Sequence, residues 1–305
     1  MKSAQAHWAV RRERGSVWLL RLMVWISLRL GRAVGRSLLY PIAGYFLLMS
    51  AGTRRAQRAY LARVLCRPPS WRDCFRQILT FAATLHDRIY FLNGRYDLFD
   101  VTVVGEELMG EAVAQGQGAF LLGAHLGSFE VMRALGGQHE PGLKVLMATY
   151  LDNARKFNAM LAAINPGAQQ DIIALGGLDS MLLLREKLEQ GMMIGMMGDR
   201  SLGPDTMASL PFLGEAAPFP LGPFRLAALL RRKVIFMTGL YCGGSRYQVR
   251  FELLADFSNC ARAERETEIH AAMLRYAGLL ESCCREAPYN WFNFYDFWLA
   301  GTPPS

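Results

Sequence analysis

The sequence predicts an α/β fold, a largely parallel mixed sheet flanked by helices, that follows an N-terminal membrane-associating helical segment. Two observations lead to this prediction. From about Val101 short apolar runs alternate with helical patterns, whereas the first quarter of the chain is basic and apolar without such alternation. With 305 residues, 52% of them hydrophobic, the chain can also bury a sizeable core. We expect residues 1–70 to form the membrane-associating segment and residues 71–305 the α/β domain.

Seven runs in the second part of the chain have the length and composition of strands. They read FDVTVVG, AFLLGA, KVLMATY, QDIIAL, GMMIGMM, KVIFMTGLYC and YQVRFELL. Helical patterns lie between several of them, namely SFEVMRALGG, NARKFNAMLAAIN, LDSMLLLREKLEQG and GPFRLAALLRR. Because repeated strand, helix, strand units give parallel strands, a ligand crevice should lie at the carboxyl ends of the strands.

An apolar helix is expected just before the first strand. It follows the boundary RPPSWRD and contains FRQILTFAATLHDRIYFL. His86 and Asp87 lie within this helix, and we interpret them as a polar pair on its surface.

The positive charge of the chain is concentrated in its first quarter. The whole chain has a formal net charge of +8, yet residues 1–78 alone hold fifteen Lys and Arg against two acidic residues. The remainder is net acidic. A basic block of this kind is typical of a protein that contacts an anionic polymer or an anionic membrane leaflet.

The residues between the arginines favour the membrane. On one continuous helix a narrow arc would hold six arginines and two tryptophans, while the other faces would be almost entirely aliphatic. The arc comprises Arg11, Arg14, Trp18, Arg21, Trp25, Arg29, Arg32 and Arg36. Such a pattern indicates a helix that lies in the interface of an anionic membrane. Nucleic acid is not an expected partner, because binding it would not require so much apolar surface.

The uncharged stretch from Ser37 to Thr53 leaves more than one arrangement open. A membrane span needs roughly 20 apolar residues, and Pro41 and Gly44 interrupt this stretch. We therefore favour a re-entrant or interfacial anchor, with a single span as the alternative. A cleaved signal peptide fits poorly because arginines continue through the apolar part. The remaining alternative is a pair of helices buried in the protein core.

The cysteine pattern bounds the chemistry. The six cysteines include no C-x-x-C pair, and two of them are adjacent. This spacing suits neither a zinc site nor an ordinary disulfide framework, so we interpret them as free thiols in a reducing compartment. No ligand spacing indicates a metal or a redox cofactor, and we expect neither.

The motif GAHLGSFE places an imidazole and a carboxylate where a predicted strand meets a helix. Residues five apart on a continuous helix point about 140° away from each other, so His125 is expected in the turn, with Ser128 as the helix N-cap. Glu130 would then lie in the first helical turn and could accept the imidazole N–H. Such a pair is the apparatus of a general base that deprotonates a hydroxyl. Ser128 as a nucleophile is the competing interpretation, but the order is not G-x-S-x-G.

GAHLGSFE is an H-x4-E motif, and it resembles the H-x4-D/E signature of glycerolipid-type acyltransferases, in particular the late (lauroyl and myristoyl) acyltransferases of lipid A biosynthesis. Further stretches are similar to that family in the same order along nearly the whole chain. They are the Arg/Trp-rich N-terminus after HWAVRRERGS, the R-x-x-N pattern of NARKFNAML, the strand GMMIGMMGDR with its terminal acidic residue, the F-x-G loop in LPFLGEAAPFPLGPFRLA, and the tail APYNWFNFYDFW.

The resemblance implies a glycerolipid acyltransferase-like fold and transfer of a fatty acyl chain from a thioester to a hydroxyl of a lipid A-like or other membrane lipid. It implies that acyl carrier protein is the acyl donor, with acyl-CoA as the alternative donor. It also implies localisation at the cytoplasmic face of the bacterial inner membrane. His125 would be the general base, and Glu130 would orient the imidazole. The residues expected to bind the donor's phosphopantetheine or the acceptor's head group are Arg155, Asn158, Asp199 and Arg200.

Some residues depart from the family pattern on the acceptor side. Arg200 stands where Gln is usual, Asn290 also replaces a common Gln, and the tail ends in FYDFW instead of basic residues. A divergent family member that acts on another membrane lipid, such as an ornithine-type or aryl-polyene lipid, is therefore an alternative interpretation. Two alternatives from other classes are a coenzyme-A-dependent lysophospholipid acyltransferase and a non-catalytic membrane scaffold.

Overall fold

The computed structural model describes residues 17–114, 116–131, 145–150, 160–165, 172–200 and 206–298. It confirms the predicted fold class, since a seven-stranded, mainly parallel mixed sheet is flanked by helices. The strands are β1 (Asp100–Val104), β2 (Phe120–Gly123), β3 (Val145–Tyr150), β4 (Ile172–Leu175), β5 (Met193–Met197), β6 (Met207–Phe212), β7 (Glu215–Pro220), β8 (Lys233–Tyr241) and β9 (Arg246–Asp256).

The seven predicted strands form the main sheet in the order β1-β9-β8-β2-β5-β3-β4. The β8–β9 pair is antiparallel and the other neighbours are parallel. The central strands β2, β5 and β8 are buried almost throughout, which explains their continuous apolar sequences. Since β2 and β5 are parallel neighbours, their carboxyl ends lie side by side.

A second, two-stranded sheet was not predicted. Strands β6 and β7 form a hairpin around Leu213 and Gly214, whose φ angles of 52° and 85° are both positive, as a two-residue type I′ turn requires. The hairpin includes three prolines, which are unusual in strands and which obscured the pattern. It falls on the F-x-G stretch of the sequence.

Eight helices of eight or more residues lie in the described part of the chain. They are α1 (Val17–Leu30), α2 (Arg32–Met49), α3 (Ala51–Leu65), α4 (Trp71–Leu92), α5 (Glu107–Ala114), α6 (Leu178–Glu189), α7 (Gly222–Leu229) and α8 (Arg265–Glu286). The sequence patterns predicted α4, α6 and α7 but neither α5 nor α8. The predicted helices after β2 and β3 lie largely outside the described residues, which include helical residues at 129–131 and 160–164.

The described part of the N-terminal segment, residues 17–70, forms three helices, so the prediction of one continuous arginine arc is wrong. Gly31, with φ +87°, separates α1 from α2. Arg21 and Arg29 of α1 are exposed, whereas Arg32 and Arg36 of α2 turn toward the protein. No described helix is long and apolar enough to cross a membrane.

The interpretation of His86 and Asp87 as a surface pair is also wrong, because α2 packs over this part of α4. Both residues are buried. The Asp87 carboxylate accepts hydrogen bonds from Arg32 Nε at 2.9 Å, from Arg36 at 2.6 Å and from the Tyr247 hydroxyl at 2.8 Å. This cluster joins the N-terminal helices to the main sheet through charged hydrogen bonds.

Candidate active site

The candidate active site is built where β2 and β5 end. His125 lies two residues beyond β2, and Asp199 lies two residues beyond β5. Because the two strands are parallel neighbours, the fold brings these residues together across 74 positions of sequence. This is the crevice position that the sequence pattern predicts for a doubly wound sheet.

His125 and Asp199 make a two-point contact. The imidazole Nδ1 lies 2.8 Å from Asp199 Oδ1, and the His125 backbone N–H donates to Asp199 Oδ2 at 3.0 Å. The carboxylate is fully buried, while the His125 side chain is 30% exposed. Since an ionised carboxylate only accepts hydrogen bonds, the proton must lie on Nδ1, which leaves Nε2 as the basic nitrogen.

The electrostatics of the pair favour a neutral imidazole. Burial and the positive charge of Arg200 lower the pKa of His125 below its ordinary value, against the opposing influence of Asp199. Burial alone would raise the pKa of Asp199, but His125 and Arg200 hold it well below its usual range. At neutral pH the site therefore combines an unprotonated Nε2 with a carboxylate that can stabilise the imidazolium, as general-base catalysis requires.

The turn that carries His125 depends on two glycines. Gly127 has φ +69°, and a Cβ there would overlap the carbonyl oxygen of Gly239 in β8. Gly239 is equally crowded, since a Cβ on it would overlap the carbonyl oxygen of Ser128. The Ser128 backbone N–H donates to the Gly239 carbonyl at 2.8 Å. This close approach to β8 fixes the turn that follows His125.

The C-terminal tail completes the site from the other side. The Phe292 N–H donates to the His125 carbonyl at 2.7 Å, and the Gly127 N–H donates to the Asn290 carbonyl at 3.0 Å. The indole N–H of Trp291 donates to Asp199 Oδ2 at 3.0 Å. Trp291 was not predicted as a site residue, because no local signal in the sequence links it to a carboxylate 92 positions away.

The structure gives Glu130 a different neighbour from the one predicted. Its carboxylate is buried, and its Oε1 lies 2.7 Å from Arg88 Nε of α4 as an ion pair. Asp199, not Glu130, occupies Nδ1 of the imidazole. The physical reason is that the turn at Gly127 and the helical start at residue 129 direct Glu130 toward α4. Its catalytic role remains a prediction.

The other residues singled out from the sequence are placed as follows. Ser128 directly precedes the helical residues 129–131, as expected, but its buried Oγ makes no hydrogen bond within the described part of the chain. Arg200 donates to the Phe292 carbonyl at 3.3 Å, and its guanidinium lies 5.5 Å from the ring centre of Tyr295. Arg155 and Asn158 lie outside the described residues.

The sheet order and the His125–Asp199 contact define an α/β protein with a paired imidazole and carboxylate at the carboxyl ends of its strands. Among the described residues, no cluster of three or more His, Cys, Asp or Glu side chains is arranged to hold a metal ion.

The family model described as bacterial lipid A biosynthesis acyltransferase matches residues 3–300. The chain therefore belongs to this family, and its general activity is that of a lipid A-type acyltransferase. A sequence search of curated proteins finds no match to the chain.

Proposed function

We propose that this protein transfers a fatty acyl chain from an acyl thioester, carried by acyl carrier protein, to a hydroxyl group of a lipid A-like membrane lipid. His125 is the general base. The observation that carries the proposal is the contact of His125 Nδ1 with the fully buried Asp199 carboxylate, in a member of an acyltransferase family. That contact directs the basic Nε2 away from Asp199, where an acceptor hydroxyl can approach.

In the proposed reaction Nε2 of His125 takes the proton of the acceptor hydroxyl while the oxygen attacks the thioester carbonyl carbon. A carbon–oxygen bond forms, the carbon–sulfur bond then breaks, and the leaving thiolate takes the proton back from the imidazolium. Asp199 stabilises the imidazolium during this step. The product is an ester and a free thiol, and no acyl-enzyme intermediate is involved.

The N-terminal helices support a place at a membrane surface. Trp18 and Trp25 of α1 are 66% and 56% exposed, and many aliphatic side chains of α1 and α2 are exposed as well. Exposed tryptophans beside apolar and arginine side chains suit the interface of an anionic bilayer. We therefore propose an interfacial anchor at the cytoplasmic face of the bacterial inner membrane.

Arg200 supports binding of an anionic group near the base. It directly follows Asp199, and its positive charge acts on the His125 imidazole. We propose that Arg200 contacts the phosphopantetheine of the donor or the polar head of the acceptor. Arg155 and Asn158 are proposed to do the same on the evidence of the sequence alone.

The test is a reconstituted transfer assay with the full chain in vesicles that contain anionic lipid. Acyl carrier protein or coenzyme A supplies the acyl chain, and a lipid A precursor, a lysophospholipid or a lyso-ornithine lipid is the acceptor. The proposal predicts release of free thiol and formation of an acylated lipid A precursor with the carrier-protein donor. Preference for acyl-CoA and a lysophospholipid would overturn the assigned substrates.

The catalytic base is tested in the same assay with two variants. His125→Ala should lower the rate by about 10²- to 10⁴-fold, the usual contribution of a general base. His270→Ala is the matched control, because His270 is an exposed residue on α8. Equal rates for the two folded variants would overturn the role of His125, and absence of transfer by the folded wild type would favour a non-catalytic scaffold.

A further inference from the structure

The tail residues around Trp291 form an arm that runs along the His125 turn. Leu126 and Trp291 are antiparallel bridge partners, and one backbone hydrogen bond flanks this bridge on each side. The arm is itself anchored, because Gln77 of α4 donates to the Trp291 carbonyl at 2.7 Å and Tyr60 of α3 donates to the Pro288 carbonyl at 2.9 Å. Helices α3 and α4 therefore fix the position of Trp291.

The side chain of Trp291 is placed with equal restraint. It is fully buried, and its ring makes edge contacts with Tyr60, Phe212 and Phe297 at centroid distances between 4.9 and 5.3 Å. Buried indole N–H groups usually have a hydrogen-bond partner. Here the partner is Oδ2 of Asp199.

The two oxygens of Asp199 thus have different partners. Oδ2 accepts from the Trp291 indole and from the His125 backbone N–H, each at 3.0 Å, whereas Oδ1 faces His125 Nδ1. The indole bond opposes rotation of the carboxylate about its Cβ–Cγ bond. The indole N–H also offsets part of the negative charge of the carboxylate, which weakens its attraction for the imidazolium.

We propose that Trp291 is a positioning residue, which holds the Asp199 carboxylate so that one oxygen faces the imidazole of His125. This inference rests on the proposed function of His125 as the base. The arm would then complete the active site, because the sheet supplies the base and its carboxylate while the tail supplies the group that orients the carboxylate.

Several other groups act on the same carboxylate and are kept constant in the test. Arg200 follows it in sequence, and the buried Tyr276 and Cys284 of α8 and Tyr295 of the tail interact with its charge. Tyr276 donates to the Gly123 carbonyl at 2.8 Å, so α8 also supports the end of β2.

The test compares Trp291→Phe with Trp298→Phe. Both changes remove an indole N–H from the same aromatic cluster, but Trp298 Nε1 is buried without a hydrogen bond in the described part of the chain. Trp291→Phe should lower kcat by about 10- to 100-fold, by analogy with the loss of hydrogen-bond partners that orient ligands at metal sites, with KM for the thioester unchanged. Trp298→Phe should leave kcat within about twofold.

A second readout separates positioning from packing. NMR titration of the His125 imidazole should show a higher pKa in Trp291→Phe than in the wild type, because Asp199 loses a donor and interacts more strongly with the imidazolium. Trp298→Phe should leave this pKa unchanged. Equal titration or equal kcat in the two variants would overturn the role of Trp291. Failure of the proposed function is recognised separately, by equal transfer rates in the wild type and in His125→Ala.

Discussion

Replacing Asp199 by asparagine should remove catalysis while it leaves the shape of the site intact. Oδ2 accepts from two N–H donors, the His125 backbone and the Trp291 indole. The asparagine oxygen must take this position, since its NH₂ group would otherwise face both donors. The NH₂ group then faces His125 Nδ1 and donates to it, which moves the imidazole proton to Nε2.

The magnitude follows from this exchange of tautomers. With the proton on Nε2, the nitrogen that should accept the hydroxyl proton has no lone pair free. The same change in the serine-protease triad lowers kcat by about 10⁴-fold, and we expect a loss of about 10³- to 10⁴-fold here. Asp199 also opposes the lowering of the His125 pKa by burial and Arg200. Its removal should therefore shift the acid limb of the rate profile to lower pH.

Glu130→Gln is the comparison variant, because Glu130 lies in the helical residues that follow the His125 turn but pairs with Arg88. We expect it to lower the free energy of unfolding by about 3–5 kcal/mol, as is typical when a buried ion pair loses one of its charges. The assay is kcat of acyl transfer against pH, with the tautomer of His125 followed by ¹⁵N NMR. If Glu130→Gln lost as much kcat as Asp199→Asn, with both proteins folded, the assignment of Asp199 as the partner of the base would be refuted.

Three further predictions concern the fold around the site. Gly127→Ala should lower the free energy of unfolding by about 1–3 kcal/mol, because its φ of +69° and the nearby Gly239 carbonyl leave no room for a Cβ. Gly44→Ala, in the open middle of α2, should be neutral or should raise the free energy of unfolding by up to about 1 kcal/mol. Chemical denaturation measures both changes. Asp87→Asn should lower the free energy of unfolding by about 3–5 kcal/mol, since it removes the charge of a fully buried carboxylate that pairs with two arginines, and an equal loss in the exposed Asp97→Asn would contradict this. Burial raises the pKa of Cys283 to about 11, so alkylation at pH 8 should spare this thiol in the folded protein and label it in urea; mass spectrometry of the peptide reads both states.

The central strands of the main sheet were predictable because burial on both faces requires an apolar residue at nearly every position. Runs such as FLLG and MIGMM are apolar throughout, and they form the buried strands β2 and β5. The β6–β7 hairpin has no such pattern, since its prolines are typical of loops and its turn at Leu213 requires a φ that β-sheet propensities do not predict.

The position of His125 at the end of a strand was also predictable, but its partner was not. Pairing with Asp199 depends on β5 lying beside β2, and this neighbour relation arises from the strand order rather than from any local pattern. The contact of Trp291 with Asp199 depends on the path of the tail over the sheet, which no local pattern predicts. His86 and Asp87 became buried because Gly31 breaks the N-terminal helix and turns α2 onto α4, a tertiary effect that helical periodicity cannot show.

The most direct test of the central claim is a mass-spectrometric comparison of membrane lipids from the native host that expresses the wild type, His125→Ala or His270→Ala at equal levels. If His125 is the general base of acyl transfer, an acylated lipid should be present with the wild type and with His270→Ala and absent with His125→Ala. Identical lipid profiles for all three, with each protein folded and membrane-bound, would contradict it.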